Sequence, residues 1–87
     1  AVMAKVMIYT RSWCGYCAAA KDLLSRKGVA FDEIDIEARP NERRTMIERA
    51  GGRTSVPQIF VGDVHVGGSD DLHALDRRGG LEPLLAS

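Results

Sequence analysis

Two cysteines, Cys14 and Cys17, stand with Gly15 and Tyr16 between them, and they are the only cysteines in the 87-residue chain. Two thiols this close form and break a disulfide within one turn of backbone. As a staple the bond would be poor: it closes a four-residue loop, worth about 2 kcal/mol against about 3 for a 15-residue loop. A bond that stabilises so little is better explained as one that is made and broken. Rival readings are weaker. A zinc site needs two more ligands, and His65 and His73 lack the spacing of a finger. Neither histidine is given a role.

The pair falls where the pattern turns from strand to helix. Lys5 to Thr10 is a short run rich in strand formers, Arg11 to Cys14 is the turn out of it, and Tyr16, Ala20, Leu23 and Leu24 repeat at helical spacing. The predicted helix runs from about Gly15 to Lys27, with Arg26 and Lys27 suited to its end and Gly28 stopping it. Cys14 therefore sits just before a helix and Cys17 in its first turn. The unpaired N–H groups and partial positive charge of that end favour thiolate at Cys14. Its pKa is expected below the free value, in the range of about 3.5–7.5. Arg11 adds positive potential. Cys17, entering the helix, is expected to be the more buried, which makes Cys14 the nucleophile and Cys17 the resolving thiol.

Further along, Val29 to Ile36 reads as a second strand with imperfect alternation. Pro40 or Asn41 opens a second helix whose stripe is Met46, Ile47 and Ala50, and Gly51-Gly52 stop it. Gln58 to Val61 and Val64 to Val66 are strands joined by Gly62-Asp63, a connection that fits a type II′ hairpin. Ser69 is an N-cap candidate for a helix to about Arg78, and Leu81 to Leu85 is a last helical turn. The order predicts a parallel first pair with a right-handed crossover, then an antiparallel hairpin: an α/β fold, one mixed four-stranded sheet with helices on both faces.

Composition adds exclusions. The chain is long enough for one domain spanning 1–87; a chain of this size buries about 60–65% of its unfolded surface. Ala1 and Val2, ahead of Met3, read as an expression remnant and are set aside. Formal net charge is zero, which gives no reason to expect nucleic acid or an anionic membrane as partner. No apolar run approaches the ~20 residues of a membrane span, and Ala1 to Thr10 lacks the marks of a signal peptide. A cytoplasmic location is expected.

Three ordered blocks carry a resemblance: Cys14-Gly15-Tyr16-Cys17, then Thr54 to Phe60 (Thr-Ser-Val-Pro-Gln-Ile-Phe), then Gly67 to Leu72 (Gly-Gly-Ser-Asp-Asp-Leu). From Met3 onward the chain resembles a glutaredoxin of the dithiol type. The resemblance implies a thioredoxin fold, glutathione as co-substrate, and reduction of protein–glutathione mixed disulfides and protein disulfides, with ribonucleotide reductase among the partners and a monomer as the working state. It implies a cis bond before Pro57, leaving the Val56 N–H and C=O to pair with the cysteine residue of glutathione like an added strand. Ser55, Val56, Pro57, Gly68, Ser69, Asp70 and Asp71 would then line the glutathione site with Tyr16 and Arg11. The start of the helix at Ser69 and Asp70 suits the γ-glutamyl carboxylate, and an Asp carboxylate its ammonium; on local grounds alone Ser-Asp-Asp is simply a good helix start. Arg11 matches the position of a basic residue for the glycyl carboxylate, and Arg39, Arg43 or Arg44 could assist.

Two departures stand out. Gly15 replaces the motif proline, and Trp13 precedes the first cysteine as in thioredoxins. Glutaredoxins with Gly here include iron–sulfur carriers, so a second reading is a [2Fe–2S] cluster held by Cys14 of two protomers and two glutathiones. A third is an electron donor coupled to thioredoxin reductase, against which the Gly67–Asp71 block argues.

Overall fold

The computed structural model describes residues 5–86, so Ala1 and Val2 lie outside the described residues. Its elements are β1 (Val6–Thr10), α1 (Gly15–Arg26), β2 (Phe31–Asp35), α2 (Pro40–Arg49), β3 (Gln58–Val61), β4 (Val64–Gly67), α3 (Ser69–Arg77) and α4 (Leu81–Leu85). The strands form one sheet in the order β2-β1-β3-β4. β1 pairs parallel with β2 and antiparallel with β3, and β3 pairs antiparallel with β4. The mixed four-stranded architecture inferred from the pattern is the one observed.

Side chains on successive strand residues point to opposite faces, and the core splits accordingly. Val6, Ile8, Ile59 and Val61 pack on one face against Ala20, Leu23 and Leu24 of α1, Leu72 of α3, and Leu81 and Leu85 of α4. Tyr9 and Phe60 face the other way, against Met46 and Ala50 of α2. Arg49 closes that side, its guanidinium 4.2 Å above the Phe60 ring and hydrogen-bonded to the Tyr9 hydroxyl at 3.2 Å. Burial of Cys17, Ala20, Leu23 and Leu24 therefore seats the body of α1 on the sheet, and its N-terminus is presented at the C-terminal edge of β1.

Three local expectations are corrected. β2 is shorter than Val29 to Ile36. Val29 and Ile36 are buried, but their N–H groups bond the Leu24 and Thr10 carbonyls as loop residues. As an edge strand β2 carries exposed charges, with Asp32 paired to Lys5 and Glu33 to Lys21, a common way to blunt an edge. Ser69 is not the N-cap of α3. Gly68 is, and the Asp71 carboxylate accepts its N–H at 3.0 Å; the cap reaches back from the third helical residue, so no side chain is needed at the cap position. The β4 strand extends to Gly67, where a register shift against Ile59 and Phe60 lets the chain turn into α3. The Gly62-Asp63 connection behaves as expected: Gly62 has φ 59 and Asp63 does not share it, the signature of a type II′ turn.

Candidate active site

Cys14 is the N-cap of α1, with φ −107 and ψ 110, and its sulfur accepts the Cys17 N–H at 3.3 Å. The chain reaches this position through Trp13, the one described non-glycine residue with positive φ, at 60. Trp13 is fully exposed and Tyr16 is 67% exposed, so two aromatic rings flank the helix entry without covering it. Cys14 is half-buried, while Cys17 is 2% exposed and shares the apolar face of α1.

This difference separates the two thiols chemically. Partial burial works against ionisation of Cys14, but it is outweighed. Hydrogen bonds from the Cys17 thiol and N–H and from the Tyr16 N–H, with the Arg11 charge, hold Cys14 below its ordinary value of 9.0. Burial first, then donation of its proton to Cys14, pushes the Cys17 thiol up to about 12. One thiolate and one held thiol side by side is the asymmetry that dithiol exchange requires. It has a direct readout. Because a lowered pKa leaves thiolate present at neutral pH and a raised one does not, iodoacetamide at pH 7 should add once, at Cys14, and a second adduct should form only as the pH climbs past 9.0. Peptide mass mapping checks both; equal labelling of the two cysteines at neutral pH would contradict the assignment.

Beside Cys14 runs a groove of 190 Å³. One wall is Ser55, Val56 and Pro57. The Val56–Pro57 bond is cis, and the Val56 carbonyl oxygen lies 3.9 Å from Cys14 Sγ. This segment is tied to the sheet by Gln58, which is fully buried and donates to the Ser55 carbonyl at 3.0 Å. The Gln58 Oε1 pairs with His65 Nε2 at 2.7 Å, and the His65 ring stacks on Phe60 at 4.8 Å. Burial, followed by the Arg53 charge, lowers the His65 pKa, which keeps the ring neutral at pH 7. A histidine read from sequence as having no role thus braces the groove.

The opposite wall is Gly68, Ser69, Asp70 and Asp71, at the start of α3, and Tyr16 flanks it. The Gly68 N–H and then the Arg53 guanidinium, 3.1 Å away, hold the Asp71 carboxyl below its usual range. Arg53 also lines the groove and was missed by the sequence reading; its pairing with a residue 18 positions on leaves no local signal. Arg39, Arg43 and Arg44 are not among the groove-lining residues. Arg11 lines a second cleft instead, of 550 Å³, which is lined by both cysteines and includes Trp13, Lys21, Glu33 and Asp35. Among the described residues no three His, Cys, Asp or Glu side chains converge as a metal site, and no helix is long and apolar enough to cross a membrane.

The glutaredoxin family profile matches residues 6–66. Glutaredoxin 3 of Escherichia coli is 58% identical over 83 residues, covering 95% of this chain and 99% of that protein. The solution structure of a Brucella melitensis glutaredoxin superposes with a TM-score of 0.85 at 56% identity, over 99% of this chain and 92% of the other. A buckwheat glutaredoxin solved as its glutathione complex gives a TM-score of 0.86 at 26% identity, over 94% and 76% of the two chains. Thiols of opposed ionisation on a four-stranded mixed sheet, with these likenesses over nearly the whole length, establish that the chain belongs to the glutaredoxin family and is a thiol–disulfide oxidoreductase of thioredoxin fold.

Proposed function

We propose that the protein is a glutathione-dependent oxidoreductase that reduces protein–glutathione mixed disulfides and protein disulfides, with Cys14 as nucleophile and Cys17 as resolving thiol. The observation that carries this reading is the groove beside Cys14, walled by the Val56 backbone on one side and the first residues of α3 on the other. Its parts match the parts of glutathione. The Val56 N–H and C=O lie at the groove, where they suit pairing with the central cysteine residue as an added strand would; the C=O is within 3.9 Å of Cys14 Sγ, the sulfur that residue must reach. The Ser69 and Asp70 N–H groups suit the γ-glutamyl carboxylate, and Asp70 or Asp71 its ammonium. Arg11 from the adjoining cleft and Arg53 from the groove wall supply positive charge for the glycyl carboxylate. Tyr16, Pro57 and Gly68 shape the walls, with Ser55 behind them.

In the reaction the Cys14 thiolate attacks the glutathione sulfur of the mixed disulfide. The Cys14–glutathione bond forms, and the protein thiolate leaves and takes a proton. The thiolate of a second glutathione then attacks that sulfur; oxidised glutathione forms and Cys14 leaves as thiolate, a departure made easier by its low pKa. With a protein disulfide, Cys14 forms the mixed disulfide with one substrate sulfur and Cys17 displaces it, closing the Cys14–Cys17 bond.

A single-domain monomer acting in the cytoplasm on glutathionylated proteins, ribonucleotide reductase among the candidate disulfide substrates, completes this reading. Cluster carriage, the second reading, rests on Gly15 and forms no part of the proposal. The test is steady-state turnover of a glutathionylated peptide with glutathione and glutathione reductase, run beside thioredoxin reductase as the alternative electron source. Turnover with the first and not the second is the expected result; the reverse would overturn glutathione dependence.

A further inference from the structure

We propose that Lys21 is a positioning residue for the second half of the dithiol reaction: its ammonium, held beside the thiol pair by Glu33 and Thr10, stabilises the thiolate of Cys17 once Cys14 carries a substrate sulfur. The inference rests on Cys17 being the resolving thiol.

The geometry comes from three elements. Lys21 lies four residues beyond Cys17 on α1, the spacing that puts two side chains on one helix face. Its Nζ is 3.0 Å from Glu33 Oε2 on β2. The same carboxylate oxygen accepts the hydroxyl of Thr10 at 2.7 Å, and Thr10 is 1% exposed at the end of β1. The Thr10 bond first, and then the Lys21 contact, hold the Glu33 carboxyl below its ordinary value against the opposing effect of partial burial. Lys21 is thus tethered to the sheet rather than left to range through solvent, and its side chain is 35% exposed. Lys21, Glu33, Thr10 and both cysteines line the same cleft.

The need for such a residue follows from the free state of the site. While Cys14 is a thiolate, it accepts the Cys17 proton and repels a second negative charge; both effects, behind burial, hold Cys17 as a thiol. When Cys14 is bonded to a substrate sulfur, its charge and its acceptor strength are gone. Burial remains as the obstacle. Against it work a backbone hydrogen bond from Arg11 and, after it, the Lys21 charge; the charged side chains lining the same cleft are Arg11 from the loop, Lys21 from α1, and Glu33 and Asp35 from β2. Of the two cations only Lys21 is carried by the same helix as Cys17 and fixed by a side-chain bond. The step it assists balances within the site. Cys17 gives its proton to water and attacks Cys14 Sγ; the Cys14–Cys17 bond forms, and the bond to the substrate sulfur breaks. The substrate departs with the electron pair and takes up a proton.

An ion pair that only ties α1 to β2 would behave differently from a charge acting on Cys17, because Lys21→Gln and Glu33→Gln break the same pair. The test titrates Cys17 by thiolate ultraviolet absorbance in a Cys14→Ser background, where it is the sole thiol and no neighbouring thiolate exists. Lys21→Gln should raise the midpoint by about 0.5–1 pH unit, Lys21→Arg should restore it, and Glu33→Gln, which frees the ammonium but also removes a nearby negative charge, should move it less than Lys21→Gln does. In the chain with both cysteines, an aromatic disulfide reagent with a coloured leaving thiolate loads Cys14 and then reports its release by Cys17. A one-unit rise removes about tenfold of the thiolate and returns about threefold in nucleophilicity, so Lys21→Gln should slow the second release about two- to fourfold at neutral pH. An unmoved midpoint in Lys21→Gln, or equal upward shifts in Lys21→Gln and Glu33→Gln, overturns the proposal. The titration contains no glutathione, so it stands whether or not the glutathione reading does, and absence of the second release in Cys17→Ser separately verifies the resolving role.

Discussion

Replacing Cys14 with serine should lower turnover of a glutathionylated peptide by about 10³-fold or more, the scale on which enzymes lose activity with their nucleophile, while Cys17→Ser should keep that turnover within a few-fold. The asymmetry follows from the site. Cys14 is the N-cap, accepts the Cys17 N–H at 3.3 Å and lies below its ordinary pKa. A serine hydroxyl there receives the same hydrogen bonds but remains protonated, and its field-stabilised anion is never populated at neutral pH. Cys17, by contrast, is 2% exposed and takes no part when glutathione itself completes the cycle. Its serine variant should instead fail with a protein disulfide, where no second thiol is left to displace the substrate. The assay pair separates the roles: a Cys17→Ser protein dead toward both substrates would mean that the monothiol route does not operate in this chain.

What could be read from sequence was what depends on contiguous residues. The N-cap position of Cys14 and the burial of Cys17 need only the four-residue motif and the apolar spacing of Ala20, Leu23 and Leu24, so both were legible. The hairpin was equally local: an apolar run, Gly62 at the one place where positive φ is needed, and a second run. Features set by other parts of the chain were not. The ends of β2 were misplaced because an edge strand bearing Asp32, Glu33 and Asp35 lacks clean alternation, and Val29 and Ile36 are buried as loop residues, Val29 in the cluster under α1 and Ile36 in the cluster under α2. The cap of α3 was assigned to Ser69 because serine is a favoured N-cap; the actual cap is glycine, served by Asp71 from inside the helix. Arg53 was passed over for arginines of the second helix, since its place in the groove is fixed by Asp71 across the fold. Trp13 is fully exposed and has positive φ, and neither feature has a local signal in the sequence. Lys21 lies between these cases: its spacing from Cys17 is in the sequence, but the carboxylate and hydroxyl that hold it come from two different strands.

The substitution expected to damage the groove most without touching either thiol is Gly67→Ala. Gly67 has φ +116, in the region open to glycine but strained for other residues, and a Cβ there would run into the Asp71 carboxylate and come within 3.0 Å of Arg53 Nη1. Asp71 could escape only by releasing the Gly68 N–H and Arg53, which are the bonds that set the start of α3. Backbone strain of about 1–2 kcal/mol adds to loss of a charged hydrogen bond, worth about 1.5 kcal/mol or more. For a domain of this size that corresponds to a fall in Tm of roughly 10–20 °C. Because Ser69 and Asp70 would no longer present their N–H groups to the groove, KM for glutathione should rise by about tenfold, the equivalent of about 1.4 kcal/mol of lost binding. The rate of Cys14 alkylation should stay near that of the wild type, since α1 and the thiol pair lie elsewhere. Gly52→Ala is the control for strain alone. Its φ is +96, but its Cβ would meet open space, so it should lower Tm and leave KM unchanged. If the two variants raise KM alike, or neither does, the start of α3 is not a glutathione-binding wall, and the groove must be read again from the Val56 side alone.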